Sequence, residues 1–144
     1  MITECFVKGR FDYGVGKCAV VITEDVMPNE VKKVLHQAAW KVPPSWTYNG
    51  QVVTPDQYNC EILAAIYALR WCNENGKKSI NIYTNTETSQ RWYYLLKFPE
   101  SREVMAKAYM DTIIEGTDLY ADYFPKNDPN EFNRLVNKLA DELR

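Results

Sequence analysis

Residues 2–24 constrain the fold more than any other stretch. ITECFVKGRF (2–11) reads as a strand, and KCAVVITE (17–24), richly β-branched, reads as its return. Between them, DYGVG (12–16) supplies glycines that accept positive φ, so the two runs close as a tight antiparallel hairpin. The next stretch, DVMPNEVKKVLHQAAWKVP, is less decided. Its end, around 36–42, fits a third strand, and an irregular or helical insert ahead of it is an equal alternative. PSWTYNGQVV (44–53) is turn-rich, with Asn49-Gly50 as its strongest turn signal.

The pattern then changes period. TPDQ (54–57) predicts a helix start with Thr54 as N-cap, Pro55 at the first position and Gln57 closing a capping box. Ile62, Ala65, Ile66, Leu69 and Cys72 follow at helical spacing as one apolar stripe, and Gly76 marks the C-terminal stop. KSINIYT (78–84) is a strand. NTETSQRWYYLLKF (85–98) opens as a helix capped by Asn85 or Thr86 and broken at Pro99, and SREVMAKAYMDTIIEG (101–116) is a further helix. TDLYADYF (117–124) is the last strand. DPNE (128–131) predicts the last helix, with Asp128 as cap, Pro129 first, and Phe132, Leu135, Val136, Leu139 and Leu143 facing the core. A hairpin followed by alternating strands and helices implies a mixed sheet with helices on its faces.

Length and charge narrow the function classes. A chain of 144 residues suits one domain, 1–144, that buries its own core, with 25–53 as its most divergent or inserted segment. The formal charge of −2 argues against a globally basic nucleic-acid binder, though local basic patches stay open. Cys5, Cys18, Cys60 and Cys72 have no C-x-x-C spacing, and the single histidine, His36, has no cysteine nearby, so a zinc site is not expected. The cysteines read as small buried hydrophobes in a reducing compartment. No basic-then-apolar leader or long apolar run suggests export or insertion, and a cytoplasmic location is expected.

Four stretches in this order resemble the ribonuclease H family. CEILAAIYALRW (60–71) is similar to its first helix, which begins with a glutamate. IYTNTETSQRW (82–92) is similar to its fourth strand, where T-D-S leads into a helix. FVKG (6–9) is similar to the first strand, with an aspartate before glycine. YFPKNDPNEFNRLVNKLADEL (123–143) is similar to the final strand, loop and helix, with an N-x-x-x-D-x-L-A-like pattern. The resemblance implies an α/β fold with a mixed five-stranded sheet flanked by helices.

It also implies where catalytic residues belong. The helix glutamate falls on Glu61 and is kept. The three aspartates fall on Lys8, Asn85 and Asn137, and a loop histidine of some members falls near Asn127. The family's hydrolysis resembles a two-metal displacement, with Mg²⁺ or Mn²⁺ held by carboxylates. Asparagine is a weak neutral ligand, and a lysine opposes a dication by several kcal/mol (~4 per unit-charge pair at about 4 Å and an effective dielectric near 20). Lys8 is therefore expected to replace the metal and pair with Glu61, with Asn85 and Asn137 around them. The candidate substitute ligands are Asp12, Asp128, Glu131 and Asp141. The bland readings are a dipole-favoured first-turn Glu61, a capping Asn85, and solvated Lys8 and Asn137.

The expected function is a ribonuclease-H-like domain, catalytically inactive, that keeps a nucleic-acid or protein partner. The alternatives are an active metal-dependent nuclease on RNA–DNA hybrids and a protein-interaction module. No cofactor is expected unless the domain is active, in which case Mg or Mn is. Nucleic-acid contacts fall to Lys8, Arg10, Lys17, Arg91 and Asn127, with Lys77 and Lys78 as further cations and Trp92, Tyr93 and Tyr94 as stacking candidates.

Overall fold

The computed structural model describes residues 2–26, 31–84, 119–125 and 130–143, together with Val104, Met105, Lys107, Ala108 and Asp111. The predicted hairpin is present. β1 (Thr3–Asp12) pairs antiparallel with β2 (Val15–Val26), in register from Thr3 opposite Glu24 to Asp12 opposite Val15. Tyr13 and Gly14 form the turn with φ of 53° and 76°. Two consecutive positive φ values match the twist of a two-residue hairpin. Gly16 serves differently: it lies in β2, where an added Cβ would meet Cys60 Sγ at 2.8 Å.

β3 (Val31–Val42) is a full strand, longer than the sequence suggests, and no helix occupies its first half. Its register with β2 shifts between Ile22 and Thr23, where His36 and Val34 face consecutive partners and Leu35 is the extra residue. That bulge breaks the period-2 signal. Residues 46–53 form a second hairpin, β4 (Trp46–Tyr48) and β5 (Gln51–Val53), turning at Asn49 and Gly50 as predicted.

α1 (Gln57–Glu74) starts two residues later than expected. Asp56 is the cap, its carboxylate accepting the Asn59 N–H at 2.7 Å, because a short anionic side chain satisfies the orphan donors better than Thr54 does. Gln57 is thereby released from any capping box. Gly76, at φ 72°, ends the helix, with Lys77 N–H on the Cys72 carbonyl and Gly76 N–H on that of Asn73. β6 (Ser79–Thr84) follows, then β7 (Tyr120–Pro125) and α2 (Glu131–Glu142). Asn130 caps α2 through Phe132 N–H, in place of Asp128, which lies outside the described residues. The predicted helix at 85–98 also lies outside them. Within 101–116, Val104, Met105, Lys107, Ala108 and Asp111 are helical.

The sheet order is β3-β2-β1-β6-β7. β1 pairs antiparallel with β2 and parallel with β6, and β6 pairs parallel with β7. β1 is therefore central and buried on both faces. Cys5 and Val7 join the core under α1, with Ile62, Leu69, Ile80 and Ile82. Phe6 joins the core under α2, with Ala19, Val21, Phe132, Val136 and Ala140. The four cysteines are buried and free. The neighbouring Cys72 thiol at 3.6 Å, and then burial, push the Cys5 thiol up, and the contact with Cys60, and then burial, do the same to Cys18, so both stay protonated packing groups.

Candidate functional site

The ladder between β1 and β6 ends at Phe6 opposite Tyr83, yet β1 runs on to Asp12. The parallel strands splay at their carboxyl ends, the place where open α/β sheets form ligand crevices. Beyond Phe6, the outer edge of β1 needs other partners for its peptide groups. α1 supplies them. Glu61 Oε1 accepts the Gly9 N–H at 2.7 Å, and Gln57 Nε2 donates to the Gly9 carbonyl at 2.5 Å. Residues 57 and 61 are one turn apart on one face of the helix, so this pair takes the place of a neighbouring strand. Thr84 Oγ1, at the end of β6, donates to Glu61 Oε2 at 3.2 Å. Glu61 is only 1% exposed, so its carboxylate lies inside the wedge between the two strands.

Glycine at position 9 is what admits the helix. A Cβ there would lie 2.0 Å from Glu61 N and 2.3 Å from the Cys60 carbonyl carbon. Backbone atoms cannot yield as a flexible side chain does. The F-V-K-G stretch and the glutamate of α1 are thus brought into direct contact.

The other predicted positions fall around this wedge. Lys8 shares with Gly9 the peptide unit that Glu61 binds, but strand alternation turns its side chain to the α2 face with Phe6 and Arg10. Two contacts fix how α2 lies on that face. Phe132 packs on Phe6 with ring centroids 5.5 Å apart, and Asp141 forms an ion pair with Arg10. The helix rises about 13.5 Å between Phe132 and Asp141 at ~1.5 Å per residue. The strand rises about 13 Å between Phe6 and Arg10 at ~3.3 Å per residue. α2 therefore runs parallel to β1 and in step with it, and Lys8 is level with Val136 and Asn137. Asn137 is exposed there.

The expected Lys8–Glu61 ion pair is corrected by this geometry. Among the described residues no ion pair joins them, because they approach β1 from opposite faces. A backbone amide and a hydroxyl meet the carboxylate instead. Asn85 follows Thr84 directly but, like Arg91, Asn127 and residues 92–94, lies outside the described residues. Two of the acids considered as substitute ligands are engaged elsewhere: Asp12 and Asp141 both bind Arg10, the former at 2.9 Å. Glu131 is exposed in the first turn of α2. Lys77 pairs with Glu24 at 2.7 Å and, with Lys78, precedes β6 at the end remote from the wedge.

A cationic feature emerges from the registers. Arg10 faces Lys17, and Lys17 faces Lys41, so the three form a row across β1, β2 and β3. The neighbouring row, Lys8, Ala19 and Ala39, places a fourth cation beside it on the same face. Lys41 had no signal in the sequence, because only the β3 register brings it there. Gln57 was equally hidden, since its apparent role was capping.

No protein-family profile matches the sequence, and no curated protein does. Solved structures match well. Ribonuclease H1 LC11, isolated from compost by metagenomics and crystallised with an RNA/DNA hybrid, superposes with a TM-score of 0.68. The match covers 98% of this chain and 95% of that one at 20% identity. The chain has the ribonuclease H fold. Ribonuclease H1 of Halobacterium salinarum matches over 99% of this chain and 96% of its own, at 14% identity and TM-score 0.61. The N-terminal ribonuclease H domain of Rv2228c from Mycobacterium tuberculosis matches over 98% and 91%, at 10% identity and TM-score 0.62.

The two-metal chemistry that the resemblance implies can be tested against the donors present. Two hard cations need several anionic oxygens in one place. Among the described residues Glu61 is the carboxylate of the wedge, and no three His, Cys, Asp or Glu side chains come together. Lys8 occupies the strand position implied for an aspartate. Among the described residues, this donor set falls short of the anionic oxygens that two hard cations need.

Proposed function

We propose that this domain binds an RNA–DNA hybrid, or a duplex of similar shape, without hydrolysing it. The observation that carries the reading is the row Arg10–Lys17–Lys41. Like charges directly opposite on neighbouring strands destabilise a sheet. Asp12 and Asp141 offset Arg10 alone, while Lys17 and Lys41 form no ion pair among the described residues. Such a row makes sense against an external polyanion, whose phosphates supply the missing counter-charge and release their own counterions. It lies beside the wedge of Glu61, and the compost ribonuclease of the same fold, crystallised with an RNA/DNA hybrid, supports a hybrid here by analogy. Lys8, Asn85 and Asn137, at the three positions implied for aspartates, support binding without cleavage.

The test pairs affinity with cleavage. Hybrid affinity should fall steeply with salt, by about 0.9 in log K per log salt for each phosphate contact. Lys17→Glu and Lys41→Glu should each reduce that slope by about one. The natural protein should leave an end-labelled hybrid intact with Mg²⁺ or Mn²⁺, whereas Lys8→Asp, Asn85→Asp and Asn137→Asp together should introduce cutting. Metal-dependent cutting by the natural protein, lost in Glu61→Ala, would reinstate an active nuclease. Absence of affinity at low salt would leave a protein-interaction role.

A further inference from the structure

On the opposite face of the sheet, α1 and β3 diverge and leave a cleft of about 470 Å³. The volume suits a small ligand or one unit of a polymer. Its walls are Trp40, Tyr67 and Trp71, and Leu63 and Ile66 form the apolar floor. These rings hold each other in place. Trp40 packs on Tyr67 with centroids 4.8 Å apart. His36 stacks against Trp71 at 5.1 Å, and its Nε2 shares a 2.7 Å hydrogen bond with the Tyr67 hydroxyl. The aromatic surface is thus formed in advance and needs little ordering on binding.

The rim is charged. Arg70 and Glu74 border the cleft, and neither makes an ion pair among the described residues. Lys33 lies on the same face of β3, opposite Glu24 and on the side of the bulge before His36. Arg70, outside any ion pair among the described residues, can meet an anionic group, and flat π-surfaces favour a planar ring. A nucleotide joins both features: the base stacks on indole and phenol rings, and the phosphate meets a guanidinium.

We propose that the α1–β3 cleft binds a nucleotide, its base against Trp40, Tyr67 and Trp71 and its phosphate on Arg70. The nucleotide is either free or one unit of a single strand. This site is separated by the sheet from the basic row and does not depend on hybrid binding there.

The first probe is AMP, followed by tryptophan fluorescence, with adenosine and inorganic phosphate as partial ligands and a ten-nucleotide oligo(rA) as the strand. AMP is expected to quench saturably and to bind at least tenfold more tightly than either partial ligand. Arg70→Glu, an exposed change that leaves the core intact, should weaken AMP at least tenfold without altering hybrid affinity. Lys17→Glu should leave AMP binding unchanged. Tighter binding of the oligonucleotide than of AMP assigns the site to a strand, and the reverse order assigns it to a free nucleotide. No saturable response to AMP or oligonucleotide at millimolar concentration, or equal affinity in Arg70→Glu, overturns the proposal. Loss of hybrid binding with AMP binding intact would dismiss the basic row and leave this site standing.

Discussion

At the scale of single residues, Glu61 acts first as a structural acceptor. Replacing it with alanine would leave the Gly9 N–H and the Thr84 hydroxyl without their partner inside a sealed wedge. An unsatisfied buried donor costs about 1–3 kcal/mol, so Glu61→Ala should lower the urea midpoint clearly. Glu61→Gln, which keeps an acceptor oxygen, should lower it less. Equal losses in the two variants would argue that packing, and not the hydrogen bonds, sets the cost. Gly9→Ala should be harsher, at or above the ~3 kcal/mol upper range of overpacking, because the added carbon meets helix backbone. Lys8→Ala should stay within about 0.5 kcal/mol, as expected for a partly exposed residue outside any ion pair seen among the described residues. Chemical denaturation of the four variants checks this order. Glu61 and the lysine before Gly9 were legible from the four matching stretches. The absence of an ion pair between them was not, because the face on which a strand residue points is set by register, which a list of matched positions does not carry.

At the scale of elements, both helix caps lie two residues beyond the predicted ones, Asp56 for Thr54 and Asn130 for Asp128. Asp56→Ala and Asn130→Ala should each cost about 1 kcal/mol, typical of a lost N-cap, whereas Thr54→Ala and Asp128→Ala should cost less as caps. Matched midpoints for Asp56→Ala and Thr54→Ala would show that capping is not what fixes the start of α1. The sequence signals were sound in kind, and they overlapped: TPD and DPN each hold two acceptors within three positions, and only tertiary packing selects between them. β3 was half hidden for a different reason. Its bulge at Leu35 shifts the alternation midway, so neither half presents a long run of one period. The same bulge and the lysines along it protect an edge strand of twelve residues from pairing with other chains.

At the scale of the whole molecule, the mixed sheet was legible in the hairpin and the alternating units, whereas its strand order β3-β2-β1-β6-β7 comes from parallel pairings between segments far apart in the chain. Glu24 links three of them. It accepts from Thr3 and pairs with Lys77, and Lys77 foremost, against the opposing effect of burial, holds its carboxyl below the usual glutamate range. A depressed native pKa gives stability that is complete above the unfolded value, about 4.3, and is lost as pH falls through the native one. Urea midpoints measured downward from pH 6 should drop more steeply for the natural protein than for Glu24→Gln. Parallel profiles would remove Glu24 from the acid response.

The contact of Phe6 with Phe132 has a further consequence in time. The two residues lie more than a hundred positions apart, and synthesis proceeds at about 5–20 residues per second. On a ribosome, the α2 face of β1 therefore waits on the order of ten seconds for the helix that covers it. During that wait Phe6, Ala19 and Val21 form a bare apolar strip in the nascent chain, so chaperone occupancy should peak just before α2 emerges and fall once Phe132 can dock.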